Sequence, residues 1–203
     1  MVNLKKIVTD MQEYASIHNV PIISPEGSRL LQEVADAAKP LSVLELGTAI
    51  GYSTLLLATS MKQGGQITTI EQDEERISIA KHFITQTNLV DQINFIAGDA
   101  GAILPELTGK YDLVFIDAAK GQYLDYLRKV LDKLSPGAVI LADNVLFRGW
   151  VLGNSTAPRR FRTIVKRLRD YLDFVTTDKR FKTVVHHIGD GIAVSYYQGE
   201  TSI

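Results

Sequence analysis

The sequence predicts an α/β fold in which a mostly parallel sheet carries helices on both faces and is closed by an antiparallel hairpin. Two observations predict it. Five short apolar runs alternate with helical stretches between residues 42 and 142, which is typical of a parallel sheet covered on both sides. Near the C-terminus, two strand patterns are separated only by Gly189-Asp190-Gly191, and so short a link joins antiparallel strands.

Two amphipathic helices are expected before the sheet. Apolar residues recur at helical spacing from Leu4 to His18 and from Glu26 to Ala38, with Pro21 between the two stretches. We interpret residues 1–40 as a helical cap over a cofactor site. Residues 41–203 then form the α/β core, and the whole chain, 1–203, is a single domain.

The strands and helices of the core follow from the same periodicity. Parallel strands are expected at 42–46, 66–70, 93–97, 111–116 and 138–142. Helices are expected at about 53–61, 74–87, 101–107 and 122–134. The hairpin strands are expected at 182–188 and 192–197. The pairs Gly64-Gly65 and Pro136-Gly137 mark loops.

A glycine-bearing turn, residues 47–51, links the first strand to its helix; we call it the glycine turn. Gly47 and Gly51 permit positive φ angles and let a ligand approach the backbone closely. Their Gly-x-x-x-Gly spacing differs from the Gly-x-Gly-x-x-Gly of dinucleotide binders, which favours a cofactor without phosphates. The alternative is that these glycines only punctuate a strand-to-helix turn.

Two acidic residues favour the cofactor interpretation. Glu45 lies in the first strand beside the turn, and Glu71 ends the second strand, where an acidic side chain can accept both ribose hydroxyls. With these residues the chain resembles the class I methyltransferases that use S-adenosyl-L-methionine. The resemblance implies a Rossmann-like class I methyltransferase fold with seven strands and S-adenosyl-L-methionine as the cofactor.

Polar residues follow three of the predicted parallel strands: Asp99, Asp117, and the pair Asp143 and Asn144. Since neighbouring parallel strands end at the same edge of a sheet, the carboxylates of Asp117 and Asp143 should converge. Together with the amide oxygen of Asn144 they form a hard oxygen site suited to Mg²⁺, Mn²⁺ or Ca²⁺. Taken singly, each aspartate has the alternative role of capping a turn or a helix.

Lys120 follows Asp117 by three residues. It is either a surface lysine or a general base, because a nearby cation and sulfonium would disfavour the protonated form of its amine. Asp117, Asp143 and Asn144 stand at the metal-binding positions of the metal-dependent O-methyltransferases of the catechol and caffeoyl-coenzyme A type, which this sequence resembles. The resemblance implies that Asp117 and Lys120 are catalytic, with Lys120 as the base.

The same resemblance implies a set of contacts to S-adenosyl-L-methionine. In it, Ile23 covers the cofactor from the cap, Glu71 holds the ribose, and Asp99 and Ala100 flank the adenine. The full set is Ile23, Glu45, Gly47, Ser53, Glu71, Asp99, Ala100 and Asp117.

The positive charge of the chain is concentrated in one segment. Residues 148–182 hold 10 basic and 3 acidic side chains in a protein of net charge −1. They include a helix expected over 159–175, which is either a solvated face or a footprint for a polyanion. In the second case the contacts to RNA phosphates would come from Arg148, Arg159, Arg160, Arg162 and Lys166. Phe147 and Trp150 nearby could wall an acceptor pocket or belong to the core.

Longer runs resemble the bacterial transfer-RNA 5-hydroxyuridine methyltransferases. The runs are Met11 to Ala15 with Asn19 to Ile22, Phe115 to Tyr123, Asp143 to Gly149, and Gly189 to Ser195. The resemblance implies that the chain makes 5-methoxyuridine at the tRNA wobble position. In the substrate, 5-hydroxyuridine, the 5-hydroxyl and the neighbouring 4-carbonyl could chelate a cation through two oxygens, as a catechol does. Small catechols or hydroxycinnamoyl-type phenols are the alternative acceptors, and a non-catalytic RNA-binding module is a third interpretation. The family commonly has an N-terminal arm that contributes to dimer contacts and is longer than the segment before Met11 here, so the resemblance leaves a homodimer and a monomer both open.

Composition limits the remaining possibilities. The 203 residues are 45% hydrophobic, enough for the core of one globular domain. Because cysteine is absent, disulfides, thiolate metal sites and cysteine nucleophiles are excluded. The sequence has no apolar run of 18 residues and no signal-peptide pattern, so we expect a cytoplasmic protein without a membrane partner.

Overall fold

Residues 3–153 and 157–199 are described in a computed structural model, so both ends of the predicted domain, 1–203, lie outside the described residues. The strands are β1 Ser42–Leu46, β2 Gln66–Glu71, β3 Ile93–Ala97, β4 Tyr111–Ile116, β5 Leu134–Ala142, β6 Phe181–His186 and β7 Ile192–Tyr197. They form one seven-stranded sheet in the order β3-β2-β1-β4-β5-β7-β6. Strand β7 runs antiparallel to β5 and β6, whereas β1–β2, β2–β3 and β4–β5 are parallel pairs. The predicted sheet with a closing hairpin is confirmed.

The helices are α1 Leu4–His18, α2 Pro25–Ala38, α3 Tyr52–Ser60, α4 Glu74–Ile84, α5 Ala100–Ile103, α6 Tyr123–Val130 and α7 Arg162–Thr177. Several are shorter than the periodicity predicts because their ends tighten into 3₁₀ turns. Helix α5 gives way to such a turn at Leu104–Glu106, where Pro105 cannot continue an α-helix. Helix α7 is preceded by another, Arg159–Phe161. Within the described ranges, no helix combines the length and apolarity needed to cross a bilayer.

Strand β5 begins at Leu134, four residues earlier than predicted. Pro136 and Gly137 therefore lie inside a strand, and the prediction of a loop there is wrong. The register between β4 and β5 shifts between Tyr111 and Leu113, which marks a local irregularity in the ladder. Such a bulge tolerates a proline without an amide hydrogen and a glycine whose φ is +81°.

The chain forms two compact units, residues 1–100 and 101–203. In the first unit, α1 and α2 pack on α3. Gln12 of α1 donates from Nε2 to the hydroxyl of Tyr52 at 2.8 Å. The hydroxyl of Ser24 caps α2 by accepting the amide hydrogen of Gly27 at 3.1 Å. The two N-terminal helices thus contact the helix that follows the glycine turn, while their role as a cap over a cofactor stays a prediction.

In the second unit, α6 and α7 pack together through two tyrosines. The rings of Tyr123 and Tyr171 meet edge to face with centroids 5.8 Å apart, and both residues are buried. Strand β5 lies between β4 and β7, and its residues Ile140 and Leu141 are fully buried. This packing fixes the carboxyl ends of β4 and β5, where the predicted metal residues lie.

Candidate functional site

The glycine turn is built from residues with positive φ angles. They are +99° at Gly47, +46° at Ala49 and +83° at Gly51. A Cβ on Gly51 would lie 3.1 Å from the Cβ of Ala80 in α4, so close helix packing explains this glycine without any cofactor. The amide of Gly47 donates to the carbonyl of Ile70 at 2.9 Å and extends the β1–β2 pairing into the turn.

Glu45 is a fully buried acid whose carboxylate is held by side-chain hydroxyls. Its Oε1 accepts from Ser53 Oγ at 2.6 Å, and its Oε2 accepts from the hydroxyls of Thr54 and Thr69. Burial raises the pKa of the Glu45 carboxyl to about 7; the three hydrogen bonds oppose this rise, and the charge of Glu71 adds to it. The predicted cofactor residues Glu45 and Ser53 are therefore in direct contact with each other.

Glu71 connects the end of β2 to the glycine turn. Its Oε2 accepts the amide hydrogen of Ala49 at 2.9 Å, and its Oε1 accepts those of Gln72 at 2.9 Å and Asp73 at 3.1 Å. A carboxylate offers about four acceptor positions. Three backbone donors thus orient the side chain and leave capacity for a further donor such as a hydroxyl.

The other predicted cofactor residues of this unit lie on two segments. The amide of Gly98 donates to the carbonyl of Glu71 at 2.8 Å, so the segment that carries Asp99 and Ala100 begins beside the end of β2. Asp99 is exposed, whereas Ala100 is buried as the first residue of α5. Ile23 is buried in the extended segment before α2. The roles of these three residues toward a cofactor stay predictions.

In the second unit, Asp117 and Asp143 lie side by side; we call them the carboxylate pair. Ile116 at the end of β4 is in register with Ala142 at the end of β5, and an aspartate follows each of them. The amide of Asp143 donates to the carbonyl of Ile116 at 3.0 Å. Burial and then the charge of Asp117 raise the pKa of the Asp143 carboxyl well above its ordinary value. The two aspartates thus follow adjacent strand ends and their charges interact, while the binding of a cation by them stays a prediction.

Lys120 and Asn144 contact opposite members of the pair. The Nζ of Lys120 lies 3.6 Å from Oδ1 of Asp117, and about a quarter of each of these two side chains is exposed. The amide of Asn144 donates to Oδ1 of Asp143 at 2.6 Å. Asn144 has a φ of +56°, a left-handed conformation that asparagine tolerates better than most residues. The pair therefore has one accessible member beside a lysine and one buried member.

The oxygen atoms at this site are suitable ligands for a hard divalent cation. Lys120 is paired with Asp117, and burial, followed by the charge of Asp117, raises the pKa of the Asp143 carboxyl although Lys120 opposes the rise. Mg²⁺ is commonly bound through one or two carboxylates, with water in the remaining positions. In residues 3–153 and 157–199 there is no group of three or more histidine, aspartate or glutamate side chains suited to a metal. A cation here would be bound by the carboxylates of Asp117 and Asp143, the side-chain amide oxygen of Asn144, and further oxygens from water or substrate.

The loop after the carboxylate pair is supported by the turn of the C-terminal hairpin. The amides of Val145 and Leu146 donate to the carbonyls of Gly191 at 3.0 Å and Asp190 at 2.8 Å. The amide of Arg148 donates to Oδ1 of Asp190 at 3.1 Å. A Cβ on Gly191 would lie 2.3 Å from Cγ of Leu146, so the two segments are in very close contact.

Phe147, Trp150 and Phe161 form an aromatic cluster beside this loop. Trp150 and Phe161 stack with centroids 5.3 Å apart, and Phe147 meets Phe161 edge-on at 5.5 Å. The guanidinium of Arg148 lies between 5.4 and 6.0 Å from all three ring centroids, and that of Arg160 lies 4.6 Å from Phe161. The rings are partly exposed and both arginines are exposed, so this cluster is not part of the buried core.

Part of the positive segment binds backbone carbonyls of nearby loops. These contacts run from Arg162 Nε to Ala157 at 3.2 Å, from Arg167 Nη1 to Gly121 at 3.1 Å, and from Arg169 Nε to Val151 at 2.8 Å. Lys166 pairs with Asp170 at 2.9 Å, and Arg159 is exposed. Local packing therefore accounts for some of the charge that the sequence analysis attributes to a polyanion.

Sequence reasoning missed the residues that support the acids. Thr54 and Thr69 bind Glu45, and Tyr123 donates from its hydroxyl to the main-chain carbonyl of Asp143 at 3.0 Å. Thr69 is in register with Glu45 on the neighbouring strand, and a polar residue in an apolar run was an available signal. Tyr123 gave no such signal, because a tyrosine on the buried side of an amphipathic helix is ordinary.

Comparisons with known proteins agree on one family. The sequence profile of a family described as O-methyltransferase matches residues 2–197. A catechol O-methyltransferase of Niastella koreensis is 37% identical over 153 residues, covering 70% of this chain and 69% of that protein. Caffeoyl-CoA O-methyltransferase 1 of Arabidopsis thaliana is 28% identical over 200 residues, covering 91% and 75%. The structure of an O-methyltransferase from Bacillus cereus in complex with SAH has a TM-score of 0.84 at 26% identity and covers 95% of this chain and 90% of that one.

Proposed function

The chain belongs to the O-methyltransferase family, and from this premise we propose that it methylates a hydroxyl of a small catechol-type or hydroxycinnamoyl-type phenol. We further propose that it uses S-adenosylmethionine and a divalent cation held by Asp117, Asp143 and Asn144. The carboxylate pair carries the proposal, because it sets two oxygen donors in register beside Lys120. The names of the two curated relatives support this acceptor class, whereas the narrower resemblance to the tRNA enzymes stays a prediction.

The glycine turn and Glu71 are the proposed binding site for S-adenosylmethionine, which would supply a methyl group on a positively charged sulfur. No described side chain caps the start of α3 after Gly51, so the positive end of this helix suits the carboxylate of the methionine part. Glu71 is oriented by three amides and retains acceptor capacity for a ribose hydroxyl. Because S-adenosylmethionine has no phosphate groups, the turn does not need the Gly-x-Gly-x-x-Gly pattern of dinucleotide binders.

The carboxylate pair is the proposed site of acceptor activation. A divalent cation there would supply positive charge that lowers the pKa of a hydroxyl next to a second oxygen. Lys120, in its neutral amine form, takes the hydroxyl proton at its Nζ, and Asp117, whose Oδ1 lies 3.6 Å away, stabilises the positive charge that the amine gains. The acceptor oxygen then bonds to the methyl carbon as the bond from that carbon to sulfur breaks. The product is a methyl ether of the phenol.

The test is transfer of labelled methyl from S-adenosylmethionine to a catechol in the presence of Mg²⁺, with a chelator in a parallel reaction. We expect transfer that stops on chelation and returns when Mg²⁺ is added back. Lys120→Met should lose activity by roughly 10²–10⁴-fold, the range for general bases. Lys6→Met is the matched control, since it removes an exposed lysine paired with Asp10 on α1. Transfer that persists without metal would contradict the role of the carboxylate pair.

A second acceptor, 5-hydroxyuridine at the wobble position of tRNA, is favoured by the aromatic cluster. Its rings are partly exposed, and Arg148 and Arg160 border them. Unpaired bases stack on aromatic side chains, and arginines contact the phosphates beside them. The same assay with tRNA that carries 5-hydroxyuridine, at about 50 and about 200 mM salt, tests this acceptor. The double substitution Arg148→Ala, Arg160→Ala should weaken RNA methylation more than catechol methylation; equal effects on both would contradict an RNA role.

A further inference from the structure

Tyr123 lies at the start of α6, but its side chain contacts the end of β5. The phenol hydroxyl donates to the main-chain carbonyl oxygen of Asp143 at 3.0 Å. Tyr123 is only 1% exposed, so this hydrogen bond is shielded from water and is electrostatically stronger for it. The residue follows the 3₁₀ turn Lys120–Gln122, which leaves the strand end of Asp117. One side chain therefore ties the segment of Asp117 and Lys120 to Asp143.

The bond from Tyr123 fixes a particular peptide group. The carbonyl of Asp143 and the amide of Asn144 belong to the same planar peptide unit, so a donor on one end restrains the direction of the other. That amide donates to Oδ1 of Asp143 at 2.6 Å. Asn144 has a φ of +56° and lies in the turn that follows β5, so this peptide sets the direction in which the chain leaves the strand. The tyrosine hydroxyl thus acts on the carboxylate of Asp143 through the backbone.

We propose that Tyr123 is a positioning residue for cation binding. Its hydroxyl holds the Asp143–Asn144 peptide so that the carboxylate of Asp143 and the amide oxygen of Asn144 keep their directions as oxygen donors. This inference rests on the proposed function, because it requires the carboxylate pair to bind a divalent cation. Partners that orient metal ligands from outside typically change metal affinity by about 10–100-fold.

Tyr171 offers a matched control within the same aromatic pair. Its ring meets that of Tyr123 at 5.8 Å, and the residue is fully buried. Among the residues that the structure describes, its hydroxyl has no hydrogen-bond partner. Phenylalanine at either position removes one buried hydroxyl and keeps the ring. Only Tyr123→Phe also removes the hydrogen bond to the main-chain carbonyl of Asp143.

The experiment measures Mn²⁺ binding to the full chain by electron paramagnetic resonance of the free ion. Mn²⁺ alone is the probe, without cofactor or acceptor, and the proteins are wild type, Tyr123→Phe, Tyr171→Phe and Asp143→Asn. We expect the dissociation constant to rise about tenfold or more in Tyr123→Phe and to stay within about twofold of wild type in Tyr171→Phe. Asp143→Asn should lose measurable binding. Circular dichroism and thermal melting establish that each protein is folded.

A second measurement separates positioning from general loosening. In the methyl-transfer assay, the Mg²⁺ concentration for half-maximal rate should rise about tenfold in Tyr123→Phe, and saturating Mg²⁺ should restore most of the maximal rate. A general packing defect would instead lower the maximal rate without shifting the metal requirement, and that result would overturn the inference.

The outcomes distinguish this inference from the function on which it rests. Equal Mn²⁺ affinity in Tyr123→Phe and wild type would overturn the positioning role and leave the proposed function intact. Absence of Mn²⁺ binding by wild type would overturn the proposed cation site, and the inference with it. Loss of the fold in Tyr123→Phe where Tyr171→Phe folds would also overturn the positioning role, because the hydroxyl would then be a requirement of folding.

Discussion

The glycine turn and the carboxylate pair each contain a buried acid next to a strand end, and the two acids are satisfied in different ways. Glu45 is fully buried and accepts hydrogen bonds from three hydroxyls. Asp143 is 5% exposed, accepts from the amide of Asn144, and has the carboxylate of Asp117 as its neighbour. Burial raises the pKa of both groups. Both acids also have a second carboxylate nearby, Glu71 and Asp117 respectively, so the difference between them lies in their hydrogen bonds: three side-chain hydroxyls at Glu45 and one backbone amide at Asp143.

Removing the charge of Asp143 should have the largest effect. Asp143→Asn keeps the side-chain shape, and we expect methyl transfer to fall roughly a thousandfold, which is about 4 kcal/mol in the barrier. The thermal midpoint should stay equal or rise, because the substitution removes a charge that burial and then the carboxylate of Asp117 disfavour. Labelled methyl transfer and a thermal melt measure the two effects. If Asp143→Asn kept full methyl-transfer activity, the proposed role of Asp143 in catalysis would be wrong, and Asp143, like Glu45, would be a structural acid.

Neutralising Glu45 should change the pH dependence of stability. Between pH of about 4.5 and about 7 the folded carboxyl keeps a proton that the unfolded chain releases, so the free energy of unfolding declines as pH rises through this window. The full pKa difference corresponds to about 3 kcal/mol as an upper estimate. In Glu45→Gln this contribution to the decline should vanish.

Urea unfolding at about pH 5 and about pH 8 measures that decline in wild type and in Glu45→Gln. The contribution of Asp143 is common to both proteins, so the difference between their pH slopes isolates Glu45. Identical pH slopes would mean that Glu45 has the same pKa in the folded and the unfolded chain, which would contradict the prediction that burial raises it.

The smallest predicted effect separates packing from backbone conformation in the glycine turn. Gly51 and Gly64 have φ angles of +83° and +80°, so alanine should cost about 1–2 kcal/mol of backbone strain at either position. Only at Gly51 would the new Cβ meet Ala80, at 3.1 Å, whereas no atom lies within 4 Å at Gly64. Gly51→Ala should therefore be about 1 kcal/mol less stable than Gly64→Ala in denaturant unfolding. Equal costs would show that α4 moves aside.

Much of the sheet could be predicted because its strands are short apolar runs between clear turn signals. The observed bounds of β1, β3 and β4 match the predicted 42–46, 93–97 and 111–116. The start of β5 could not be predicted, because Pro136 and Gly137 are typical of loops and the register shift that admits them depends on β4.

The candidate site shows the same division between local pattern and tertiary packing. The approach of Asp117 to Asp143 follows from parallel strand ends, and sequence order is enough to predict it. The bond from Tyr123 to Asp143 depends on how α6 lies over β5, which no local pattern contains. Counting charges likewise could not separate arginines that bind loop carbonyls, such as Arg167 and Arg169, from those that remain exposed.

The close approach of Gly191 to Leu146 has a consequence for engineering the loop of residues 144–149. A side chain at position 191 would collide with Leu146, whose Cγ lies 2.3 Å from the position of a Cβ there. If only the loop of residues 144–149 or only the hairpin turn is randomised, larger side chains in one segment will therefore clash with the unchanged residues of the other. Positions 146 and 191 have to be varied together, with a smaller residue at 146 as the change that opens 191 to a side chain.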